Sequence, residues 1–210
     1  MINQTNWTDR TNRTESNSFH QKNQSDQNQN ESLLFKRGGY RNLKSFQMAT
    51  LVHDLNMEFC QKYIDWKSRT KDQMEQAGRS GRQNIAEGSL ASATSKKTEL
   101  KLTSVARASL EELLLDYEDF LRQRGLKMWA KDSIEAKIVR NLAYSQDKSN
   151  LSYLSYLKDS EQAANMMICL IHQTNYLLDR QIKTLSDEFL KQGGFTERLY
   201  QKRSQFRSGK

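Results

Sequence analysis

From Leu43 onward, apolar residues recur at steps of three and four through most of the chain. Leu43, Phe46, Ala49, Val52, Leu55, Phe59 and Tyr63 form the first series, which predicts an amphipathic helix of about five turns. A second helix is expected from about Arg69 to Glu87, with a stripe of small residues: Ala77, Gly81 and Gly88, and Ile85 between them. Gly88 with Ser89 to Ser95 forms a polar link, in which Ser92, Thr94 or Ser95 can cap a third helix. That helix carries Leu102, Val105, Ala106, Ser109, Leu113, Tyr117 and Phe120 and stops at Gly125. Between 126 and 158 the periodicity weakens. Met128 to Leu142 fits a short helix, and Asn141 to Lys158 reads as a long polar insertion with tyrosines, a length that points to function. The longest helix is expected from about Ser160 to Gln192, on Ala163, Met167, Leu170, Thr174, Leu178, Leu185 and Phe189. Gly193-Gly194 ends it, and Phe195 to Arg207 reads as a basic helical tail. These elements predict an all-α fold. Residues 38–192 form an up-down antiparallel four-helix bundle with a polar insertion at about 126–158, and 193–210 a basic C-terminal helical suffix.

Composition sharpens this reading in two places. The first 31 positions hold twelve Asn and Gln, and their only apolar residues after Met1 are Ile2, Trp7 and Phe19. Such a segment buries too little area to offset its ordering entropy, so residues 1–36 are expected to be a disordered leader. The chain has no proline, which favours long helices over the turn-rich folds that use it. Its two cysteines, Cys60 and Cys169, sit within apolar helical patterns and read as reduced core thiols. No apolar run is long enough to span a membrane and no apolar signal region is evident, so a cytoplasmic location is expected.

Glycine inside a helix costs about 0.5–1 kcal/mol against alanine, so Gly78, Gly81 and Gly88 need a compensating reason. Close approach of another helix is one; approach of a phosphate or ligand to the Arg-flanked glycines is the other. Asn84 and Glu87 are three apart, read as structural polar residues near a helix end or, with Arg82, as part of a ligand site. Of the histidines, His20 lies in the leader, His53 in the first helix and His172 in the fourth. None has a Glu three residues before it, as paired metal sites in bundles require. Cys169 and His172 can share a helical face, but His53 and Cys60 lie about 10 Å apart along theirs. With no nucleophile elbow, phosphate loop or dinucleotide fingerprint, no enzyme activity, cofactor or metal is expected.

Charge carries more information. The net charge is +8, which permits attraction to a polyanion. The third helix opens with Lys96, Lys97 and Lys101 and closes with Glu111, Glu112, Asp116, Glu118 and Asp119. That order opposes the helix dipole: either an exposed helix tolerates the small penalty, or its ends face partners, another subunit or a polyanion. Further cations lie at Lys67, Arg69, Lys71, Arg79 and Arg82, and in the tail at Arg198, Lys202, Arg203, Arg207 and Lys210. The tail also carries Phe195, Tyr200 and Phe206, and aromatics alternating with cations suit single-stranded nucleic acid.

Three pieces in order, Arg41 to Tyr63, Arg79 to Gly88 ending in Asn84-Ile-Ala-Glu-Gly88, and Ser109-Leu-Glu-Glu-Leu113, resemble the four-helix-bundle family of large-subunit ribosomal RNA intervening-sequence proteins. More distantly, they are similar to the accessory protein of diversity-generating retroelements. Ile168-Cys-Leu-Ile-His-Gln173, Asn175-Tyr-Leu-Leu-Asp179 and Gly193-Gly-Phe-Thr-Glu-Arg198 resemble the variant whose bundle has a C-terminal suffix. The resemblance spans roughly residues 38 to 205. It implies a small, basic bacterial protein assembled as a pentameric ring. The retroelement relative binds RNA and a reverse transcriptase through a basic surface. The leader and residues 126–158 depart from the family pattern.

The expected function is therefore that of a non-enzymatic, homopentameric protein that binds RNA or other nucleic acid. The candidate phosphate contacts are Arg69, Arg79, Arg82, Lys96, Lys97, Arg203 and Arg207. The alternative is an oligomeric scaffold that docks another polypeptide without binding nucleic acid.

Overall fold

The computed structural model describes residues 39–143 and 151–209. The leader expected over 1–36 and part of the expected insertion lie outside them. Among the described residues all regular structure is helical. After a 3-10 turn at Tyr40–Asn42 come α1 (Lys44–Tyr63), α2 (Arg69–Ala91), α3 (Lys96–Gln123), α4 (Ile134–Leu142) and α5 (Leu151–Leu154). A second 3-10 turn, Tyr156–Lys158, leads into α6 (Ser160–Gln192), and α7 (Phe195–Ser208) follows.

The boundaries follow from local chemistry. A short polar side chain occupies the N-cap of α2, α3, α4 and α6: Ser68, Ser95, Ser133 and Asp159 accept from the amides of Thr70, Thr98, Ala136 and Gln162. Of the three candidate caps before the third helix, Ser95 is the one used. Gly125 and Gly193 take φ of +64° and +66° just past α3 and α6, a conformation only glycine adopts without cost.

The core is built by α1, α2, α3 and α6. Phe59 and Tyr117 meet edge-on at 4.8 Å and Phe59 and Phe120 at 4.9 Å, joining α1 to α3. Rising positions on one helix meet falling positions on the next. Asn56 bonds Met74, and His53 lies against Gly78; Ser80 meets Ser109 while Gly88 lies on Glu99 and Leu102. Arg107 pairs with Asp179 and Lys96 with Glu188, and Ser45 with Gln181 closes α1 on α6. At the three glycines of α2 neighbouring helices approach closely. A Cβ on Gly81 would stand 2.6 Å from Leu110 Cδ2, and one on Gly78 3.3 Å from Asn56 Nδ2.

Beside Gly78 sits a buried polar knot. Asn56 Nδ2 donates to the Met74 carbonyl at 2.9 Å, and its Oδ1 accepts from Tyr117 Oη at 2.8 Å and from Cys60 Sγ at 3.7 Å. Burial without partners would cost each group more than the bonds return, so the knot fixes the register of three helices.

Three expectations are corrected. α2 does not end at Glu87 but continues to Ala91, burying Ser89; the link shrinks to 92–95. Val105, expected in the core, is 39% exposed, and Leu110 and Leu114 line it instead. The stretch 126–158 is not simply a polar insertion. Only Ile134–Leu142 of the proposed short helix is helical, and Ala136, Val139, Tyr153 and Leu157 are buried. Asn165 of α6 anchors the approach to α4, donating to the Lys127 carbonyl and accepting from the Trp129 amide.

Candidate nucleic-acid interface

The stripe that buries Ala77, Gly81, Ile85 and Gly88 turns the intervening arginines outward. Arg79 is exposed and Arg82 half-buried. Both act on the same neighbour: burial first, then the Arg82 charge and more weakly that of Arg79, holds the His53 pKa below the ordinary histidine value. His53 is thus neutral at pH 7, and its Nδ1 has no hydrogen-bond partner among the described residues. Arg79 and Arg82 form a basic patch on the seam of α1 and α2, beside the neutral His53.

The other candidates do not join this patch. Arg69 lies ten residues before Arg79, about 15 Å along α2, at the opposite end of the helix from Gly88 and the start of α3. Beside it, Trp66 is 78% exposed with Lys67 Nζ 5.1 Å from its ring centre. Lys96 and Lys97 stand at the start of α3 and differ sharply. Lys96 Nζ is 3.1 Å from Glu99 and 3.3 Å from Glu188, so its charge is already shared within the fold. Lys97 is exposed. Arg203 and Arg207 are exposed on α7, a helix with no buried residue. Among the described residues Arg69, Arg79, Arg82, Lys97, Arg203 and Arg207 form no ion pair.

The two polar residues near the end of the Asn-Ile-Ala-Glu-Gly segment separate. Asn84 Nδ2 donates to the Ser80 carbonyl and Ser80 Oγ, and Ser80 Oγ meets Ser109 Oγ at 3.0 Å. Asn84 thereby supports a polar bridge from α2 to α3. Glu87 is exposed and outside that bridge.

Cys60 and Cys169 are both buried free thiols; desolvation pushes Cys60 up to about 12 and raises Cys169. Thiols held protonated are poor nucleophiles and poor metal ligands. Three apart on α6, Cys169 is buried and His172 exposed. Among the described residues no three His, Cys, Asp or Glu side chains gather as a metal site, and no helix is long and apolar enough to cross a membrane.

Sequence reasoning missed His53 as the partner of the two arginines and Trp66 as an exposed ring beside Lys67 and Arg69. The first needs the α1–α2 register, which no single-helix pattern contains. The second was legible as a tryptophan in the short polar turn between two helices. Compared with models of known protein families, with curated proteins and with solved structures, the chain has no significant match.

Proposed function

We propose that this chain is a non-enzymatic, homo-oligomeric RNA-binding protein whose four long helices form an up-down antiparallel bundle. The antiparallel contacts of α1, α2, α3 and α6 support the bundle. The observation that carries the RNA reading is the line of cations along α2 that no carboxylate neutralises. Arg69, Arg79 and Arg82, with Lys97 at the start of α3, form no ion pair among the described residues. Leaving several cations unpaired along one helix raises the local potential and suits a polyanion. Trp66, 78% exposed beside Lys67 and Arg69, offers a surface on which an unpaired base stacks, worth about 1–3 kcal/mol per base. Each subunit repeats the patch, so assembly multiplies weak contacts. A pentameric ring, kinship with the intervening-sequence family and a bacterial source rest on the sequence resemblance; the cytoplasmic expectation rests on the core thiols and the lack of a long apolar run in the sequence.

The test is RNA binding by Arg79→Gln/Arg82→Gln/Lys97→Gln, measured by fluorescence anisotropy with a labelled single strand at several salt concentrations. Loss of three phosphate contacts lowers affinity by at least about tenfold and flattens the log K against log[salt] slope by about 2. Unchanged affinity and slope contradict the site. The exposed apolar side chains Ile134 (75%) and Leu190 (80%) favour a second reading, a protein-docking scaffold, under which the wild-type protein binds no RNA at any salt concentration.

A further inference from the structure

One stripe of α3 points away from the core. At 100° per residue, Lys101, Ser104, Ala108, Glu112, Leu115 and Asp119 fall on one side of the helix, and all six are exposed. The buried Leu110, Leu113 and Tyr117 occupy the other side. Leu115 is 55% exposed, and Val105 at the edge of the stripe 39%.

Charge along this stripe is ordered. Lys101 stands near its start, Glu112 and Asp119 at its end, and the small Ser104 and Ala108 between them. Lys101 and Glu112 form no ion pair among the described residues. Asp119 meets Arg122 at 2.8 Å, where both side chains are more than half exposed, so that pair holds the carboxylate weakly.

Such a face is complementary to itself turned end for end. Two copies of α3 set antiparallel about a two-fold axis at Ala108 bring Lys101, seven residues before it, level with Leu115, seven after it. Both then lie about 10.5 Å from the axis. Lys101 of each copy falls between Glu112 and Asp119 of the other, about one turn from each, and its aliphatic stem covers Leu115. Ser104 and Ala108 at the centre leave room for the helix axes to approach to about 8 Å. A parallel pairing would set lysine against lysine and acid against acid, which costs several kcal/mol in an interface. A polyanion is repelled by the acidic half of the stripe and a basic helix by the lysine half. A second copy answers both.

We propose that α3 of one copy packs antiparallel on α3 of a second copy, with Ala108 at the two-fold axis and Lys101 of each against Glu112 of the other. The proposal rests on the homo-oligomeric part of the function above. It accounts for the order of charges that the helix dipole disfavours, since that order makes the face self-complementary. Lys97, about 16.5 Å from the axis, lies at the outer end of the seam and remains available to RNA. An isologous contact closes on itself and pairs chains, so a ring needs a second, head-to-tail contact.

The test uses the full-length chain in multi-angle light scattering at low salt, with circular dichroism to check the fold. The wild type is expected at no less than twice the 24.5 kDa of one chain. Lys101→Glu and Glu112→Lys alter only exposed residues, and each acts twice in a two-fold contact. Each alone should associate at least about tenfold more weakly, and an equimolar mixture of the two should recover the paired mass. Ala108→Cys supplies a positional readout, because Cys60 and Cys169 are buried. Treated with diamide, it should form a covalent dimer, whereas Asp119→Cys should not, its two copies being about 33 Å apart along the seam. Reversed variants that keep the wild-type mass, or an Ala108→Cys chain that stays uncrosslinked, overturn the seam while leaving the oligomer reading intact. A wild type at 24.5 kDa overturns both.

Discussion

At Gly81 the neighbouring helix leaves no room for a side chain. A Cβ there meets Leu110 Cδ2 and Cγ at 2.6 and 2.7 Å, whereas one on Gly78 first meets Asn56 Nδ2 at 3.3 Å. Alanine returns up to about 1 kcal/mol of helix propensity at either position, and overpacking a tight contact costs about 1–3 kcal/mol. Gly81→Ala should therefore lower the urea unfolding free energy by about 1–2 kcal/mol, and Gly78→Ala by less. Asn56→Ala should cost more than either, about 2–3 kcal/mol, because it strands the Tyr117 hydroxyl in the core and leaves a cavity beside it. His53 sets a pH dependence. Burial and the Arg82 charge lower its folded pKa beneath the unfolded value of 6.5, so the unfolded chain binds the extra proton. Its stabilising contribution is complete above pH 6.5 and is lost as pH falls through the lowered folded pKa. Urea midpoints at pH 7.5 and pH 5 should fall further for wild type than for His53→Gln.

Among the elements, α3 depends on its cap. Ser95 Oγ accepts from the Thr98 amide at 3.1 Å and from Thr98 Oγ1 at 2.8 Å, and Ser95→Ala should cost about 1 kcal/mol in urea unfolding. The long helices were legible because apolar side chains of α1, α3 and α6 repeat at 3.6-residue spacing, and because glycines with positive φ stop α3 and α6. The last turn of α2 was not: its one large apolar residue, Leu90, is 51% exposed, while the polar Ser89 is buried. Residues 126–158 defeated pattern reading for a related reason. α4 buries small Ala136 and Val139 while leaving Ile134 75% and Ile138 49% exposed, the reverse of what size and hydropathy suggest. Val105 misled in the same way. Candidate cations were legible as a list, but which of them act together was not. The separation of Lys96 from Lys97 depends on Glu188, 92 residues away, and that of Arg69 from Arg79 on the rise of a helix.

For the molecule as a whole, charge is the organising quantity. A chain of net charge +8 concentrates acids on the far half of α3 and leaves Arg69, Arg79 and Arg82 of α2 without an ion pair among the described residues. RNA contact through α2 is electrostatic, and weakens as salt screens charges beyond about 10 Å at 0.1 M. The most direct measurement is the light-scattering mass of the purified protein before and after a high-salt wash, with absorbance read at 260 and 280 nm. The account predicts a multiple of 24.5 kDa whose excess absorbance at 260 nm disappears in salt. A protein that carries no nucleic acid before the wash and takes up no added RNA at low salt would contradict it.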